Sequence, residues 1–288
     1  MRDTILFGDC RDTLKQFDEK ARMCVTSPPY YGLRNYGDEE NQIGLEQSPE
    51  EFIEELVKVF REVRNVLEDD GTCWVNIGDS YYNYRPGKGQ GLAKQSVSNT
   101  KQDLPDVCPR RGNRIRGLKE KDLIGIPWMF AFAMRADGWY LRQDIIWNKP
   151  NPMPESVRDR CTKAHEYMFL FSKNQNYYFD VDAIKEPTRR KRSVWNVQVR
   201  PYKGSHFAVY PPDLIEPCVL AGSEENDIVL DPFMGSGTTA MVAKSLGRDY
   251  IGCELHEDYG NLIQKRVTEY NPVREVAHSP LLDAINGL

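Results

Sequence analysis

The sequence predicts an α/β fold with a ligand pocket at the carboxyl ends of its strands, on three observations. The apolar run Met23-Cys24-Val25-Thr26 reads as a buried strand and leads into Ser27-Pro28-Pro29-Tyr30. Asn226-Asp227-Ile228-Val229-Leu230 reads as a second buried strand and enters Asp231-Pro232-Phe233-Met234-Gly235-Ser236-Gly237-Thr238-Thr239. A third strand, Tyr250-Ile251-Gly252-Cys253, ends in the acid Glu254. In open α/β sheets ligands bind beyond the carboxyl ends of the strands, where all three motifs stand.

The remaining elements follow in order. Met1-Arg2-Asp3 leads directly into a strand, with no signal peptide expected, and Phe7-Gly8-Asp9 precedes the first helix. Ser48-Pro49-Glu50-Glu51 is a capping box with proline at the first helical position. Phe52, Leu56, Val59, Phe60, Val63 and Leu67 follow at helical spacing, so this helix covers one face of the sheet and carries no chemistry. Asp69-Asp70-Gly71 reads as a turn into the strand 72–77. Residues 84–118 read as a long irregular insertion, of a length that is usually functional or disordered. A helix across about 124–136 and a strand from Trp139 to Trp147 follow. Tyr167–Ser172 and Tyr177–Asp180 read as a hairpin, 185–205 as a second basic and poorly periodic segment, and Pro212–Leu220 as a helix. Ala240 to Leu246 reads as a helix ended by Gly247. Beyond about 272 there is little pattern.

The two special turns carry the chemistry. Two prolines stop hydrogen bonding to a sheet and fix their own φ angles, so Ser27 and Tyr30 are held on a stiff turn. An aromatic face beside a hydroxyl suits a flat, polar-edged ligand such as a nucleobase; a plain proline-rich loop is the alternative. In the second turn, glycines let the backbone approach a ligand closely. It lacks the lysine of a phosphate-binding loop, which argues against a nucleoside triphosphate. Glu254 stands about 20 residues past the turn, where an acid binds ribose hydroxyls.

Together the motifs resemble the S-adenosylmethionine-dependent amino-methyltransferases of DNA. In that family a (Asp/Asn/Ser)-Pro-Pro-(Tyr/Phe) turn acts on an exocyclic amine and a Phe-x-Gly-x-Gly loop binds the cofactor. The catalytic motif precedes the cofactor motif here, an order that resembles the β group. The resemblance continues through Phe7-Gly8-Asp9, Asn76-Ile77-Gly78-Asp79-Ser80 and Asp144-Ile145-Ile146-Trp147-Asn148-Lys149-Pro150. It extends to His165-Glu166-Tyr167-Met168-Phe169-Leu170-Phe171 and His206-Phe207-Ala208-Val209-Tyr210-Pro211, and covers nearly the whole chain except about 84–118. It implies a Rossmann-like methyltransferase fold: a mostly parallel seven-stranded sheet with one antiparallel strand and helices on both faces. It also implies a single catalytic domain over 1–288, with insertions at about 84–121 and about 174–205.

By the same resemblance, Ser27, Pro28, Pro29 and Tyr30 are catalytic and S-adenosylmethionine is the cofactor. Glu254 would bind its ribose; Asp9 and Phe233 would lie near its adenine. Asp231, Gly235, Gly237 and Thr238 would line its methionine side, with His206. A structural turn role stays open for Asp231, and simple packing for His206. His165 and Glu166 are expected to support the sheet, and Asp79 ends a strand near the pocket. Serine at the first motif position goes mostly with cytosine N4 in the family and aspartate mostly with adenine N6. Cytosine N4 is therefore the implied target and adenine N6 the alternative. Cytosine C5 is disfavoured, because Pro217-Cys218-Val219 lies in a predicted helix without the polar residue that follows in C5 enzymes. A non-catalytic nucleic-acid-binding module, and a methylase of protein glutamine or RNA amines, are the rival readings.

Composition agrees with a soluble enzyme. The 288 residues are 40% apolar, enough for a sizeable core, and no apolar run is long enough to span a membrane. The seven cysteines show no metal-ligand spacing, so no metal is expected and they read as reduced core residues of a cytoplasmic protein. A net charge of −5 argues against a nucleic-acid partner, but its distribution does not. Between Arg85 and Lys121 the basic side chains, including Arg110, Arg111, Arg114 and Arg116, far outnumber Asp103, Asp106 and Glu120. Arg189, Arg190, Lys191 and Arg192 form a second run. Either run alone suits a solvated surface loop; beside a base-modifying turn both read as contacts to double-stranded DNA. A monomer or a homodimer is expected.

Overall fold

The computed structural model describes residues 1–32, 41–82, 117–199 and 210–270. Along the chain run β1 (Thr4–Phe7), α1 (Cys10–Thr13), β2 (Ala21–Thr26), α2 (Pro49–Val66) and β3 (Leu67–Ile77). Then come α3 (Ile126–Ala136), β4 (Tyr140–Asn148), β5 (His165–Ser172), β6 (Val194–Asn196) and α4 (Pro212–Gly222). The last unit is β7 (Ile228–Asp231), α5 (Thr238–Ser245), β8 (Asp249–Glu254) and α6 (Gly260–Glu269). The strands form one sheet in the order β1-β8-β7-β2-β3-β5-β4-β6. Every neighbouring pair is parallel except those made by β5, which runs against both β3 and β4. This is the expected mostly parallel sheet with one antiparallel strand, and among the described residues it has one strand more than the expected seven.

Capping and packing explain the main helix. The Ser48 side chain accepts from Glu51 N at 3.2 Å, and Pro49 opens the first turn of α2. Phe52, Leu56, Val59, Phe60 and Val63 are fully buried, each side chain stabilising the fold by about 1.5–3 kcal/mol. They join α3 and the alternate residues of the central strands in a core on one face, while α4, α5 and α6 bury a second core on the other. From β2 the chain proceeds to β3 on one side; from β7 it proceeds to β8 on the other. The β2–β7 border is thus the topological switch point, where crevices open in such sheets.

Three elements differ from expectation. Asp69-Asp70-Gly71 is no turn between elements but an irregularity inside β3. Pairing with β2 steps from Ala21↔Leu67 to Met23↔Thr72, so residues 68–71 are thrown out of register. A Cβ at Gly71 would lie 2.9 Å from Glu68 O and 3.0 Å from Arg22 O, so only glycine fits. Tyr177–Asp180 does not pair with β5 as a hairpin. Both edges of β5 are taken by β3 and β4, so Tyr178 N donates to Asp70 O at 2.9 Å and Phe179 stacks on Trp74. The eighth strand, β6, emerges from the second basic segment. Its three residues are too few to show a period.

Of the described cysteines, Cys10, Cys24, Cys73, Cys218 and Cys253 are buried, as expected for core residues, whereas Cys161 is exposed; Cys108 lies outside the described residues. Among the described residues no group of acidic, His or Cys side chains is arranged to hold a metal, and no helix is long and apolar enough to cross a membrane.

Candidate active site

Pairing of β2 ends at Thr26↔Val75, where the two prolines remove the next donors. The turn that follows is braced from below and beside. Gly32 N donates to Gly44 O at 2.7 Å, and the Tyr31 ring packs on Phe52 of α2 with centroids 5.4 Å apart. A Cβ on Gly44, whose φ is +110°, would stand 3.3 Å from Tyr30 O. Ser27, Pro28, Pro29 and Tyr30 all line one cavity.

Tyr30 is held by its hydroxyl and by the adjoining edge of its ring. Its hydroxyl donates to Glu166 Oε2 at 2.6 Å. Asn76 Nδ2 donates to the same oxygen at 3.3 Å and to Tyr167 O at 3.1 Å, while Lys149 Nζ pairs with Glu166 Oε1. The ring slides against Gly78, where a Cβ would meet Tyr30 Cε2 at 3.0 Å and Glu166 Cδ at 3.3 Å. Glu166, expected only to support the sheet, is therefore the hub that orients the aromatic face of the turn. Asp79 has a structural task. Its carboxylate accepts from Gly125 N at 3.0 Å and Ile126 N at 3.2 Å, capping α3, whose own cap residue is a glycine with no side chain to do so.

Across the switch point, β7 delivers Asp231 to the turn expected to bind cofactor. Its side chain is 1% exposed and does not line the cavity. It accepts from Thr26 Oγ1 at 2.5 Å, Thr239 Oγ1 at 2.5 Å, Tyr210 OH at 3.1 Å and Phe233 N at 2.9 Å. Burial pushes this carboxyl above its usual range, and the four donors pull the other way. Asp231 is thus a clasp that ties the end of β2 to β7, α5 and the Phe233 turn, the structural role left open for it. Gly237 also stands off the cavity. Its φ is +83°, and a Cβ there would strike Ile263 of α6 at 2.8 Å, so this glycine serves helix packing.

The cavity itself brings together Asp9, Phe233, Gly235, Thr238 and Glu254 with the Ser27–Tyr30 turn. Its volume is about 170 Å³. Gly235 N donates to Glu254 Oε2 at 2.8 Å and His256 N to Glu254 Oε1 at 3.0 Å. Burial raises this carboxyl to about 7, because the 7%-exposed side chain loses more hydration than those two amides restore. Asp9 has the opposite balance. Burial raises its pKa, but Arg11 bonds both its oxygens, with Nε at 2.9 and 3.0 Å, and holds the net value below the usual range. Arg11 is steadied in turn by Glu55 Oε2 at 2.5 Å.

Two cavity atoms are buried without a hydrogen-bond partner among the described residues, Thr238 Oγ1 and His256 Nε2. A buried polar atom without a partner calls for an explanation, and a bound ligand or water is one. Sequence reasoning misses His256, although it stands two residues past Glu254 at the end of β8. It also misses Asn41, Gln42, Ile43 and Tyr259, which line the cavity without belonging to any recognisable motif. His206 and Arg110, Arg111, Arg114 and Arg116 lie outside the described residues. Arg189, Arg190 and Arg192 are exposed and Lys191 is half-buried on the segment leading to β6. Arg189 Nε pairs with Glu186 Oε2 at 2.5 Å, and Lys191 Nζ sits 5.1 Å over the Trp195 ring.

A crevice at the switch point of a mostly parallel sheet, walled on one side by a Ser-Pro-Pro-Tyr turn and on the other by a glycine turn and a strand-end carboxylate, defines an amino-methyltransferase site. The comparison with known families agrees: the family model described as DNA methylase matches residues 21–265, and the chain belongs to that family. The Type II methyltransferase M.SmaI of Serratia marcescens is 49% identical over 276 residues, covering 91% of this chain and 90% of that protein. The Type II methyltransferase M.Cfr9I of Citrobacter freundii is 46% identical over 270 residues, covering 92% of this chain and 87% of that protein. Among solved structures, PvuII DNA methyltransferase (cytosine-N4-specific) aligns with a TM-score of 0.68 at 20% identity, covering 94% of this chain and 88% of that one. A complex of M1.HpyAVI with S-adenosylmethionine aligns with a TM-score of 0.58 at 19% identity, covering 92% and 98%. At those identities the structures speak for the fold.

The chain is therefore a DNA methyltransferase, and S-adenosylmethionine is the cofactor of its family. The cavity suits that cofactor: a carboxylate for vicinal hydroxyls, two orphaned polar atoms, and open space over Gly235, where a Cβ would meet nothing nearer than Phe233 O at 3.8 Å.

Proposed function

We propose that this chain methylates the exocyclic N4 amine of a cytosine flipped out of double-stranded DNA, at a specific site. The observation that carries the reading is the Ser27 hydroxyl. It lines the same cavity as Glu254 and Gly235 and makes no hydrogen bond among the described residues, so it is free to meet a substrate. The cytosine-N4 specificity of the PvuII enzyme and the Type II class of the relatives support the same reading and a role in site protection.

In this account Glu254 accepts the ribose hydroxyls of the cofactor, and Asp9 and Phe233 border its adenine. Gly235, Thr238 and His256 meet the methionine side, with His206 as a further candidate. When bound, S-adenosylmethionine supplies an electrophilic methyl group on a sulfonium. An aromatic exocyclic amine is a poor nucleophile, since its lone pair is delocalised into the ring. Ser27 Oγ and the Pro28 carbonyl accept its two N–H groups, draw the nitrogen toward tetrahedral geometry and stabilise the positive charge that develops there. Pro29 keeps the turn rigid, which holds the nitrogen in line for attack. Tyr30, fixed by Glu166, stacks on the flipped base, an interaction worth roughly 1–3 kcal/mol by analogy with single-strand binders. A base inside a duplex reaches no such pocket, so extrusion precedes transfer. The basic segments at about 84–121 and 185–203 contact DNA phosphates, and the second, which carries Arg189 to Arg192, is the candidate for reading bases.

The test is a transfer assay with methyl-labelled cofactor and plasmid DNA, RNA or peptide. Label in DNA supports the reading; label in RNA or peptide alone would overturn it. Adenine carrying the label would move the target to N6 and leave the other assignments in place.

A further inference from the structure

A loop that catalysis leaves unused, residues 150–163, stands at the same edge of the sheet as the pocket. It joins the carboxyl end of β4 to the amino end of β5, and its base is closed by Lys149 N donating to Ala164 O at 2.8 Å. On one side it begins at Lys149, whose ammonium reaches the Glu166 that fixes Tyr30. On the other side it is stitched to the second basic segment. Asn151 Nδ2 donates to Val199 O at 2.9 Å and Val199 N returns to Asn151 Oδ1 at 2.8 Å, beside an Asn148–Asn196 bond of 2.8 Å. Within the loop, Glu155 Oε2 accepts from Arg160 Nη1 at 2.6 Å and from Lys163 N at 3.2 Å, and the Arg160 guanidinium stacks 3.8 Å over Tyr81.

This tied-down loop presents an apolar residue to solvent. Met153 is 79% exposed, the most exposed large hydrophobic side chain among the described residues, and it sits between Pro152 and Pro154. A single exposed hydrophobic residue is ordinary on a protein surface. A methionine fixed by two flanking prolines, on a loop anchored at several points, is in a different position. Four residues on, its Cα lies within about 14 Å of the Lys149 Cα, the reach of an extended chain of that length. Within the loop Arg158, Arg160 and Lys163 stand against Glu155 and Asp159, a slight basic excess that is compatible with a polyanion.

Resting on the reading of the pocket as a site for a flipped DNA base, we propose that Met153 is the wedge that enters the duplex at the place the target base leaves. Apolar side chains, methionine among them, serve elsewhere to unstack base steps. The flanking prolines restrict the backbone at the tip, and the unbranched methionine side chain adapts its shape to the gap it would fill. The partner is double-stranded DNA, and the gain is a lower cost of base extrusion, with no contact to the cofactor.

The experiment uses the full chain and a duplex bearing a modified site mapped beforehand on plasmid DNA. Single-turnover label transfer is compared for the wild type, Met153→Ala and Met153→Leu. Each protein is assayed on the matched duplex and on one whose target base faces a mismatched partner. A mismatched base is already loosely stacked, so the wedge has little left to do there. Met153→Ala should be slower by roughly tenfold or more on the matched duplex and within about twofold of wild type on the mismatched one. Met153→Leu should stay close to wild type on both. Equal rates for wild type and Met153→Ala on matched DNA would overturn the wedge, as would an equal defect on both duplexes. A Met153→Leu protein as slow as Met153→Ala would also count against it. Failure of the wild type to label either duplex would overturn the underlying function as well, and the same experiment reads that separately.

Discussion

Glu254 offers the sharpest perturbation of the cofactor half of the site. In the free protein burial raises its carboxyl to about 7, from an ordinary value of 4.5. Ribose hydroxyls donate hydrogen bonds, so cofactor binding favours the carboxylate and expels the proton. Below pH 7 the apparent affinity should then fall about tenfold for each pH unit, which is about 1.4 kcal/mol per unit, until the carboxyl of the complex itself titrates. Between pH 8 and pH 6 the dissociation constant should rise by roughly tenfold. The sign for stability is opposite. A carboxyl whose folded pKa is raised favours the ligand-free fold below its unfolded value, and that contribution is lost as pH climbs through about 7. Glu254→Gln should remove the pH dependence. It should also weaken binding at pH 8 by roughly 1–3 kcal/mol, because ribose hydroxyls lose their charged acceptor. Isothermal titration in two buffers of different ionisation enthalpy measures both the affinity and the protons released. A wild-type affinity flat from pH 6 to pH 8, or a folded Glu254→Gln protein with unchanged affinity, would refute the assignment.

Other consequences are equally direct. Asp231→Ala should destabilise the fold by at least about 3 kcal/mol in urea denaturation, since three hydroxyls and an amide lose their shared acceptor. Loss of cofactor affinity in a protein of unchanged stability would instead make Asp231 a cofactor ligand. Glu166→Gln should keep a partner for the Tyr30 hydroxyl but leave Lys149 unpaired. It should lower turnover on DNA while cofactor affinity, read by titration, stays within about twofold of wild type; a normal turnover would detach Tyr30 orientation from catalysis. Neutralising Arg110, Arg111, Arg114 and Arg116 should weaken binding to all DNA sequences and flatten the slope of log affinity against log salt by about 0.9 for each phosphate no longer neutralised. An unchanged slope would make the first segment a solvated decoration. Changes at Arg189 to Arg192 should alter which sites are modified, read by mapping the methylated positions on plasmid DNA.

The parts of the site legible in the sequence are those the backbone itself dictates. Two prolines after a strand, glycines at a strand-to-helix turn and an acid at the next strand end are local signals, and the structure assembles all three motifs around one cavity. What local sequence does not carry is where a side chain points once distant strands meet. Asp231 turns inward because Thr26, Tyr210 and Thr239 converge on it from separate elements. Glu166 acts as a hub because β2, β3 and β4 each end beside it, bringing Tyr30, Asn76 and Lys149. Gly237 reads as a loop residue in sequence, yet its constraint is Ile263 on a later helix. The hairpin expected at 167–180 does not form for a related reason: the apolar strand is there, but both its edges are taken by strands that precede it, β3 and β4.

The central claim is amine methylation directed by Ser27, and nucleoside mass spectrometry of DNA treated with the wild type and with Ser27→Ala tests it most directly. The wild type should yield N4-methylcytosine. A Ser27→Ala protein that still binds cofactor should give a much lower yield per unit time, since the hydrogen bond it lacks strengthens only as charge develops on nitrogen. DNA carrying only 5-methylcytosine, or normal turnover by Ser27→Ala, would contradict it.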